Sequence, residues 1–149
     1  MYEIILAIHN IIRWIALLLL VVVVVRSFIG WFSKREWSET DRKLGKFTTI
    51  TLDVQLLLGL LLYIFFSSTT KAAFQDFGAA MQVNDLRYFA VDHALLMLLA
   101  FFFAHLGSAL PKRVENSNVK FRRAAIWFTL ALLLILAGMP WARPLLPGI

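Results

Sequence analysis

Four long apolar stretches make up more than half of this chain and limit what it can fold into. They cover residues 4–25, 47–66, 88–110 and 124–141, which are 22, 20, 23 and 18 residues long. A helix needs about 20 residues to cross the hydrocarbon core of a bilayer, and a chain inside lipid must satisfy its backbone hydrogen bonds internally. The sequence therefore predicts an all-α fold: an integral membrane four-helix bundle that forms a single transmembrane domain over residues 1–149.

The composition favours the lipid bilayer as the partner of this chain. Hydrophobic residues make up 60% of the chain and charged residues 16%, whereas soluble domains average about 45–50% and about 25%. The formal charge is +6, but the basic residues lie between apolar stretches, which favours an anionic membrane surface over nucleic acid. The chain has no cysteine, which excludes disulfides, iron–sulfur clusters and thiolate zinc sites.

The distribution of Lys and Arg predicts the direction in which the chain crosses the membrane. Eleven of the 15 lie in or beside the first and third connections, three lie in the second connection and the C-terminal tail, and Arg13 lies within a span. Cytoplasmic loops are enriched in Lys and Arg. We therefore expect an up-down-up-down topology with both termini on the outer, periplasmic side of a bacterial cytoplasmic (inner) membrane.

Two of the connections carry local structural signals. The sequence from Ser38 to Asp41 has the pattern of a capping box and predicts a helix that starts there and runs into the second span. Phe74, Phe77 and Met81 recur at helical spacing in the second connection. That spacing predicts one interfacial helix lying over the outer end of the bundle.

Ionisable residues inside the spans are candidates for function, because they are costly in lipid. His9 and His93 lie at a similar depth below the outer ends of spans one and three, and Arg13 is one turn deeper than His9 on the same helix face. Asp53 and His105 share an inner level, and about 18 Å of helix axis separates His93 from His105. The sequence thus predicts an outer level with two histidines and an inner level with an aspartate and a histidine.

The outer level has two interpretations. Two imidazoles on facing helices can bind the iron of a haem b from both sides. In that interpretation Arg13 pairs with the haem propionates, and small residues such as Gly59 and Ala94 leave room for the ligand. The alternative is that His9 and His93 hydrogen-bond across the helix interface and only hold the bundle together.

The inner level is equally open. Asp53 and His105 can form a buried hydrogen-bonded pair, a proton relay or part of a metal site, although one carboxylate and one imidazole are few ligands for a metal. A buried polar pair is the favoured interpretation, because buried charges seek partners. If no cofactor is present, Arg13 is expected to pair with Asp92.

Taken together, these residues resemble a small bacterial four-span membrane family whose members are commonly labelled cytochrome b or cytochrome b-like. The resemblance covers nearly the whole chain, in the same order. The matching pieces are HNIIRW at 9–14, GW at 30–31, DRKLG at 41–45, QLLLGLLLY at 55–63, DFG at 76–78 and the stretch 87–107, which contains VDH at 91–93 and AHLG at 104–107.

The resemblance implies a haem b, with His9 and His93 as outer axial ligands and His105 as an inner ligand. Some members carry His where this chain has Asp53, so we expect one haem at the outer level and no second haem at the inner one. The family label implies haem b without a function. The paired outer histidines with Arg13 beneath them favour a membrane-integral electron-transfer protein, or a haem-bearing subunit of a respiratory or photosynthetic complex. A quinone and a larger membrane complex are its candidate partners.

Two other functions stay open from the sequence. One is a non-catalytic structural or accessory membrane subunit whose His, Asp and Arg residues only pair helices. The other is a transporter or proton-handling protein that uses Asp53, His105 and Arg13, which is less favoured because no inverted repeat or broken span is visible. The chain offers no nucleophile or acid–base constellation for small-molecule turnover, so an electron carrier or subunit is favoured over a stand-alone enzyme.

Overall fold

The fold consists of helices joined by short connections. The computed structural model describes residues 1–146, and these contain no β-strand, which confirms the predicted all-α fold. The last three residues of the predicted domain, 147–149, lie outside the described range. The α-helices are α1 (Tyr2–Phe32), α2 (Glu39–Leu61), α3 (Ser68–Gln75), α4 (Phe77–Ala80), α5 (Asn84–Arg87), α6 (His93–Ala109) and α7 (Ser117–Gly138). A π-turn over Leu62–Phe66 extends α2, a second over Tyr88–Asp92 joins α5 to α6, and a 3-10 turn over Leu110–Arg113 follows α6.

Four of these helical segments are long and apolar enough to cross a membrane, as predicted. They are Tyr2–Phe32, Glu39–Phe66, Asn84–Arg113 and Ser117–Gly138, with 31, 28, 30 and 22 residues. Each is longer than the span predicted from the apolar pattern. The reason is that the pattern marks only the hydrocarbon core, whereas a helix continues into the polar interface as long as its backbone remains hydrogen-bonded.

A buried aspartate joins the end of α1 to the start of α2. Ser38 is the N-cap: its hydroxyl oxygen accepts from the Asp41 amide at 3.3 Å, and the Asp41 carboxylate accepts from the Ser38 amide at 2.9 Å, which confirms the predicted capping box. The same carboxylate binds Arg26 at 2.6 Å and Arg35 at 3.0 Å. Asp41 therefore caps α2 and ties it to the preceding helix and loop.

The connection between α2 and α6 forms several short helices, so the prediction of one interfacial helix is wrong. The backbone breaks at Asp76, which lies at φ −142° between α3 and α4. Its carboxylate accepts from the Ala79 amide at 3.0 Å. Asp76 therefore caps α4 instead of continuing α3, as Asp is strongly preferred at helix N-caps. Phe74 and Phe77 still stack across this break, with ring centroids 5.9 Å apart.

The four long segments pack in a ring, in which α1 lies between α2 and α7, and α6 lies between α7 and α2. Small side chains let these helices approach closely. The core alanines are Ala16, Ala100, Ala104, Ala124 and Ala131. Of the four neighbouring pairs, α2 and α6 make the loosest interface. This looseness leaves room between the two helices for the site described below.

Two glycines that face Phe128 provide a test of this packing. A Cβ at Gly107 would lie 2.9 Å from Phe128 Cδ2, whereas a Cβ at Gly45 would lie 3.6 Å from Phe128 Cζ. Overpacking a core costs about 1–3 kcal/mol, while Ala in place of an uncrowded helix Gly gains about 0.5–1 kcal/mol. We expect Gly107→Ala to lower the melting temperature of the detergent-purified protein, followed by circular dichroism, and Gly45→Ala to maintain or raise it. Equal shifts for the two variants would contradict this packing.

Candidate functional site

An apolar cavity of about 300 Å³ lies between α1, α2, α6 and the end of α7. We call this end of the bundle, where α1 begins and α7 ends, the cavity end. The cavity walls carry His9, His93 and Arg13, so the two histidines at similar sequence depth face one space. Leu60 and Leu98 also line the cavity and are 40% and 47% exposed. The cavity therefore reaches the surface of the bundle between α2 and α6.

His93 is the better oriented of the two histidines. It is the first residue of α6, and its Nδ1 lies 2.7 Å from the carbonyl oxygen of Gly138. A carbonyl only accepts, so Nδ1 carries the proton and donates. Gly138 ends α7, where helix geometry leaves carbonyl groups without an intrahelical donor, and the Tyr88 hydroxyl donates to the same oxygen. Nε2 is the ring nitrogen of His93 that remains for a ligand.

His9 is held against α2. Its Nε2 lies 3.3 Å from the side-chain nitrogen of Gln55, so the amide donates and the imidazole accepts. Its Nδ1 is buried without a hydrogen-bond partner in residues 1–146. The ring packs on Gly59, where a Cβ would lie 3.4 Å from His9 Cε1. In this arrangement, a metal bound through Nε2 would replace the hydrogen bond from Gln55.

Arg13 is a buried cation at the cavity wall, with 7% of its surface exposed. Its guanidinium donates to the carbonyl oxygen of Leu145, and no carboxylate in residues 1–146 forms an ion pair with it. The expected pairing with Asp92 is wrong: Asp92 binds Arg87 at 3.4 Å. The π-turn between those two residues brings side chains five apart into register. A buried charge without a counter-ion is costly, so Arg13 would be stabilised by an anion in the cavity.

Polar atoms without partners concentrate at this cavity. Within residues 1–146, four buried side-chain nitrogen or oxygen atoms have no hydrogen-bond partner, and three of them belong to residues that line it: His9 Nδ1, Arg13 Nε and Gln55 Oε1. Buried polar groups are normally paired. Their concentration marks the cavity as a place where a ligand with polar or ionic groups would be stabilised.

The two π-turns meet beside the cavity. Tyr63, in the first turn, lines the cavity, and its hydroxyl donates to the carbonyl oxygen of Ala90 in the second turn at 2.6 Å. Thr70 in turn donates to the carbonyl oxygen of Tyr63 at 2.8 Å. Single π-turns within helices are frequent at functional sites, because they shift groups out of α-helical register. Hydrogen bonds therefore link α2 and α6 at the cavity end, where their packing is loose.

The third histidine does not line this cavity. His105 Nε2 lies 3.1 Å from Asp53 Oδ1, so the predicted acid–base contact is present. The pair is not buried, however, because the two side chains are 40% and 49% exposed. Sequence position gives the depth of a residue along a helix but not the face that a neighbouring helix covers. Within residues 1–146, no three His, Asp or Glu side chains come close enough to hold a metal ion.

Several groups that shape the cavity are not among the site residues predicted from the sequence. They are Gln55, Tyr63, Tyr88 and the carbonyl groups of Gly138 and Leu145. Gln55 lies one helical turn before Gly59, and that spacing is the signal that could have placed it beside His9. The carbonyl groups leave no such signal, because their availability depends on where α7 ends and how the tail turns back.

Comparison with protein-family models, curated proteins and solved structures finds no match to this chain.

Proposed function

We propose that this chain is a membrane-integral haem b-binding electron-transfer protein, or the haem-bearing subunit of a respiratory or photosynthetic complex, with one haem in the cavity. One observation carries the proposal: His9 and His93, from different helices, line the same apolar cavity as Arg13, a buried cation without a carboxylate partner in residues 1–146. Cofactor sites of helix bundles are built in this way, from side chains of facing helices.

The residues present fit a haem b in three respects. His93 donates from Nδ1 to a backbone carbonyl, which is the contact that fixes the tautomer and ring orientation of ligating histidines. Arg13 supplies a cation, which forms strong charge-assisted hydrogen bonds with carboxylates such as propionates. Ala94 in the cavity wall has only a methyl side chain and leaves space for a flat ligand, while Gly59 lets the His9 ring pack closely on α2.

Each residue then has a distinct role. When bound, haem b supplies a one-electron couple whose potential depends on its axial ligands and on burial. His93 would hold the iron from α6 through Nε2, and His9 would give up its hydrogen bond with Gln55 to hold it from α1. Arg13 would neutralise a propionate. The apolar walls would keep water from the iron.

The orientation of the chain belongs to the same proposal. Few basic residues border the cavity end, and the connections at the other end carry most of the Lys and Arg. The positive-inside rule then supports an up-down-up-down topology, with the cavity end and both termini on the periplasmic side of a bacterial inner membrane. A quinone is the candidate electron partner, because it is lipid-soluble and can reach the protein from the bilayer.

Haem binding is tested by titrating the detergent-purified protein with hemin. We expect one equivalent to bind, with a narrowed Soret band and sharp α and β bands after reduction by dithionite, as two imidazole ligands produce. The matched control is His105→Ala, which removes the histidine outside the cavity and should leave the stoichiometry and spectrum unchanged. Protein that binds no hemin, or binds it equally well without His9 and His93, would overturn the proposal.

A structural role is the second candidate, and one feature favours it. His9 contacts Gln55 on α2, and His93 contacts Gly138 on α7, so both histidines already bridge helices. Such contacts stabilise helix pairs in membranes by about 0.6–2 kcal/mol. In that role, replacing either histidine lowers the melting temperature of the hemin-free protein, and hemin does not raise it.

A further inference from the structure

The Asp53–His105 pair is the most unusual feature outside the cavity. Asp53 lies near the middle of the 28-residue segment Glu39–Phe66. In a membrane this position lies at the level of the hydrocarbon core. The two side chains are in contact with each other at 3.1 Å and nearly half exposed at the surface between α2 and α6. Ionisable groups at this depth almost always face the bundle interior or a water-filled cavity and pair with one another. Asp53 and His105 do pair, but they lie at the outer surface of the bundle.

The pair joins an acid on α2 to a base on α6. His105 Nε2 lies 3.1 Å from Asp53 Oδ1, and His105 Nδ1 lies 2.9 Å from the carbonyl oxygen of Phe101 in the same helix. The two side chains therefore form a polar contact whose dipole points from one helix to the other.

The surface around this dipole is apolar. One turn away on the same helix faces lie Ile50 and Leu57 of α2 and Phe102 of α6, which are 43%, 60% and 55% exposed. The result is a patch with an acid and a base side by side, at one depth, surrounded by large apolar side chains. We call Ile50, Asp53, Leu57, Phe102 and His105 the dyad face.

From this arrangement we propose that the dyad face pairs two copies of this chain in the membrane. Two copies with the same orientation in a bilayer are related by a twofold axis along the membrane normal. Rotation about this axis keeps the depth of every residue in the membrane. It reverses the left-to-right order of the residues on the surface that faces the first copy. Asp53 of one copy then lies opposite His105 of the other, and the same holds in reverse, so the two dipoles are antiparallel and attract.

A second copy suits this patch better than a lipid or an unrelated helix. Acyl chains offer no polar group at this depth, and an unrelated helix would need its own acid and base in the opposite order. The same surface on a second copy supplies that order automatically, as a twofold interface requires. Polar contacts and close packing drive helix association in membranes, where burial of apolar surface does not. The inference is independent of the haem proposal, because it uses neither His9 nor His93.

Cysteine cross-linking tests the interface directly, because the natural chain has no cysteine. The twofold axis places Leu57 of one copy opposite Phe102 of the other, so a Leu57→Cys chain is co-expressed with a Phe102→Cys chain. The control replaces the Phe102→Cys chain by Leu133→Cys, which is 57% exposed on α7, a helix that packs mainly against α6 and α1. After oxidation in native membranes, we expect the first combination to give a band of twice the 17.0-kDa chain mass and the control to give background only. Equal yields for the two combinations would overturn the proposal.

Exchanging the two residues tests the role of the dyad itself. In Asp53→His the facing surfaces carry only imidazoles, and the association constant, measured by dilution in detergent, should fall about tenfold because each base loses the acid opposite it. Adding His105→Asp in the same chain restores an acid opposite each base, and the association should return. Helical content by circular dichroism checks that each variant is folded. A wild-type chain that is monomeric at all concentrations, or an exchanged chain that stays weak, contradicts the proposal.

Discussion

His93→Gly should abolish tight hemin binding, and imidazole added to the solution should restore it. His93 is the candidate axial ligand whose Nδ1 already donates to the Gly138 carbonyl. Removing the His93 side chain therefore removes both the ligand and the hydrogen bond that orients it. Even the hydrogen-bond partners of a metal ligand contribute about 10–100-fold to affinity. We therefore expect the hemin dissociation constant to rise at least about 100-fold, measured by Soret titration.

Imidazole separates a missing ligand from a damaged fold. In His93→Gly, free imidazole can occupy the space of the lost ring and bind the iron, so the reduced spectrum should return towards that of the wild type. His105→Gly is the matched control, because it removes an imidazole from the same helix but outside the cavity. Its hemin affinity should stay within about twofold of the wild type, as expected of a substitution far from the site.

His9→Gly should behave differently from His93→Gly. His9 must exchange its hydrogen bond with Gln55 before it can reach iron, so it contributes less net binding free energy. We expect hemin to stay bound in His9→Gly with the broad spectrum of an iron that has one histidine ligand. If the His9 variant loses hemin completely while the His93 variant keeps it, the assignment of the better oriented ligand to α6 is wrong.

The heights of the site residues could be predicted from the sequence, because helix rise is nearly constant. The distance of His9 and His93 from the ends of their apolar stretches places them at similar depth, and both line one cavity. The four-residue spacing of His9 and Arg13 places both side chains on that same wall. Asp53 and His105, predicted at one depth from separate spans, are in contact. Depth along a helix is a local property and can be counted in residues.

The rotation of each helix about its axis could not be predicted in the same way. Asp53 and His105 face outwards because of how α2 and α6 pack against the rest of the ring, which depends on small residues distributed over several helices. Asp92 binds Arg87 rather than Arg13 because a π-turn adds one residue to the turn between them. The apolar pattern does not reveal that extra residue, so a count at 3.6 residues per turn misplaces the side chain.

Arg13→Met should stabilise the protein without ligand and weaken its hemin binding. A buried cation without a carboxylate partner is costly, and replacing buried ionic groups by apolar ones of similar size is often neutral or stabilising by about 1–4 kcal/mol. The loss of the hydrogen bond to the Leu145 carbonyl offsets part of that gain. We expect the melting temperature of the hemin-free protein to rise by about 2–4 °C, the shift that roughly 1 kcal/mol produces in a chain of this size.

The same substitution removes the cation proposed for the propionates, so the hemin dissociation constant should rise about tenfold or more, since a hydrogen bond to a charged group contributes about 1.5–3 kcal/mol. Arg113→Met is the control: Arg113 is exposed in the 3-10 turn after α6, at the end of the bundle opposite the cavity end, so neither quantity should change. A higher melting temperature together with weaker hemin binding distinguishes a binding residue from a structural one. Replacing a residue that only supports the fold lowers the melting temperature. If Arg13→Met lowers the melting temperature and leaves hemin affinity unchanged, Arg13 belongs to the scaffold.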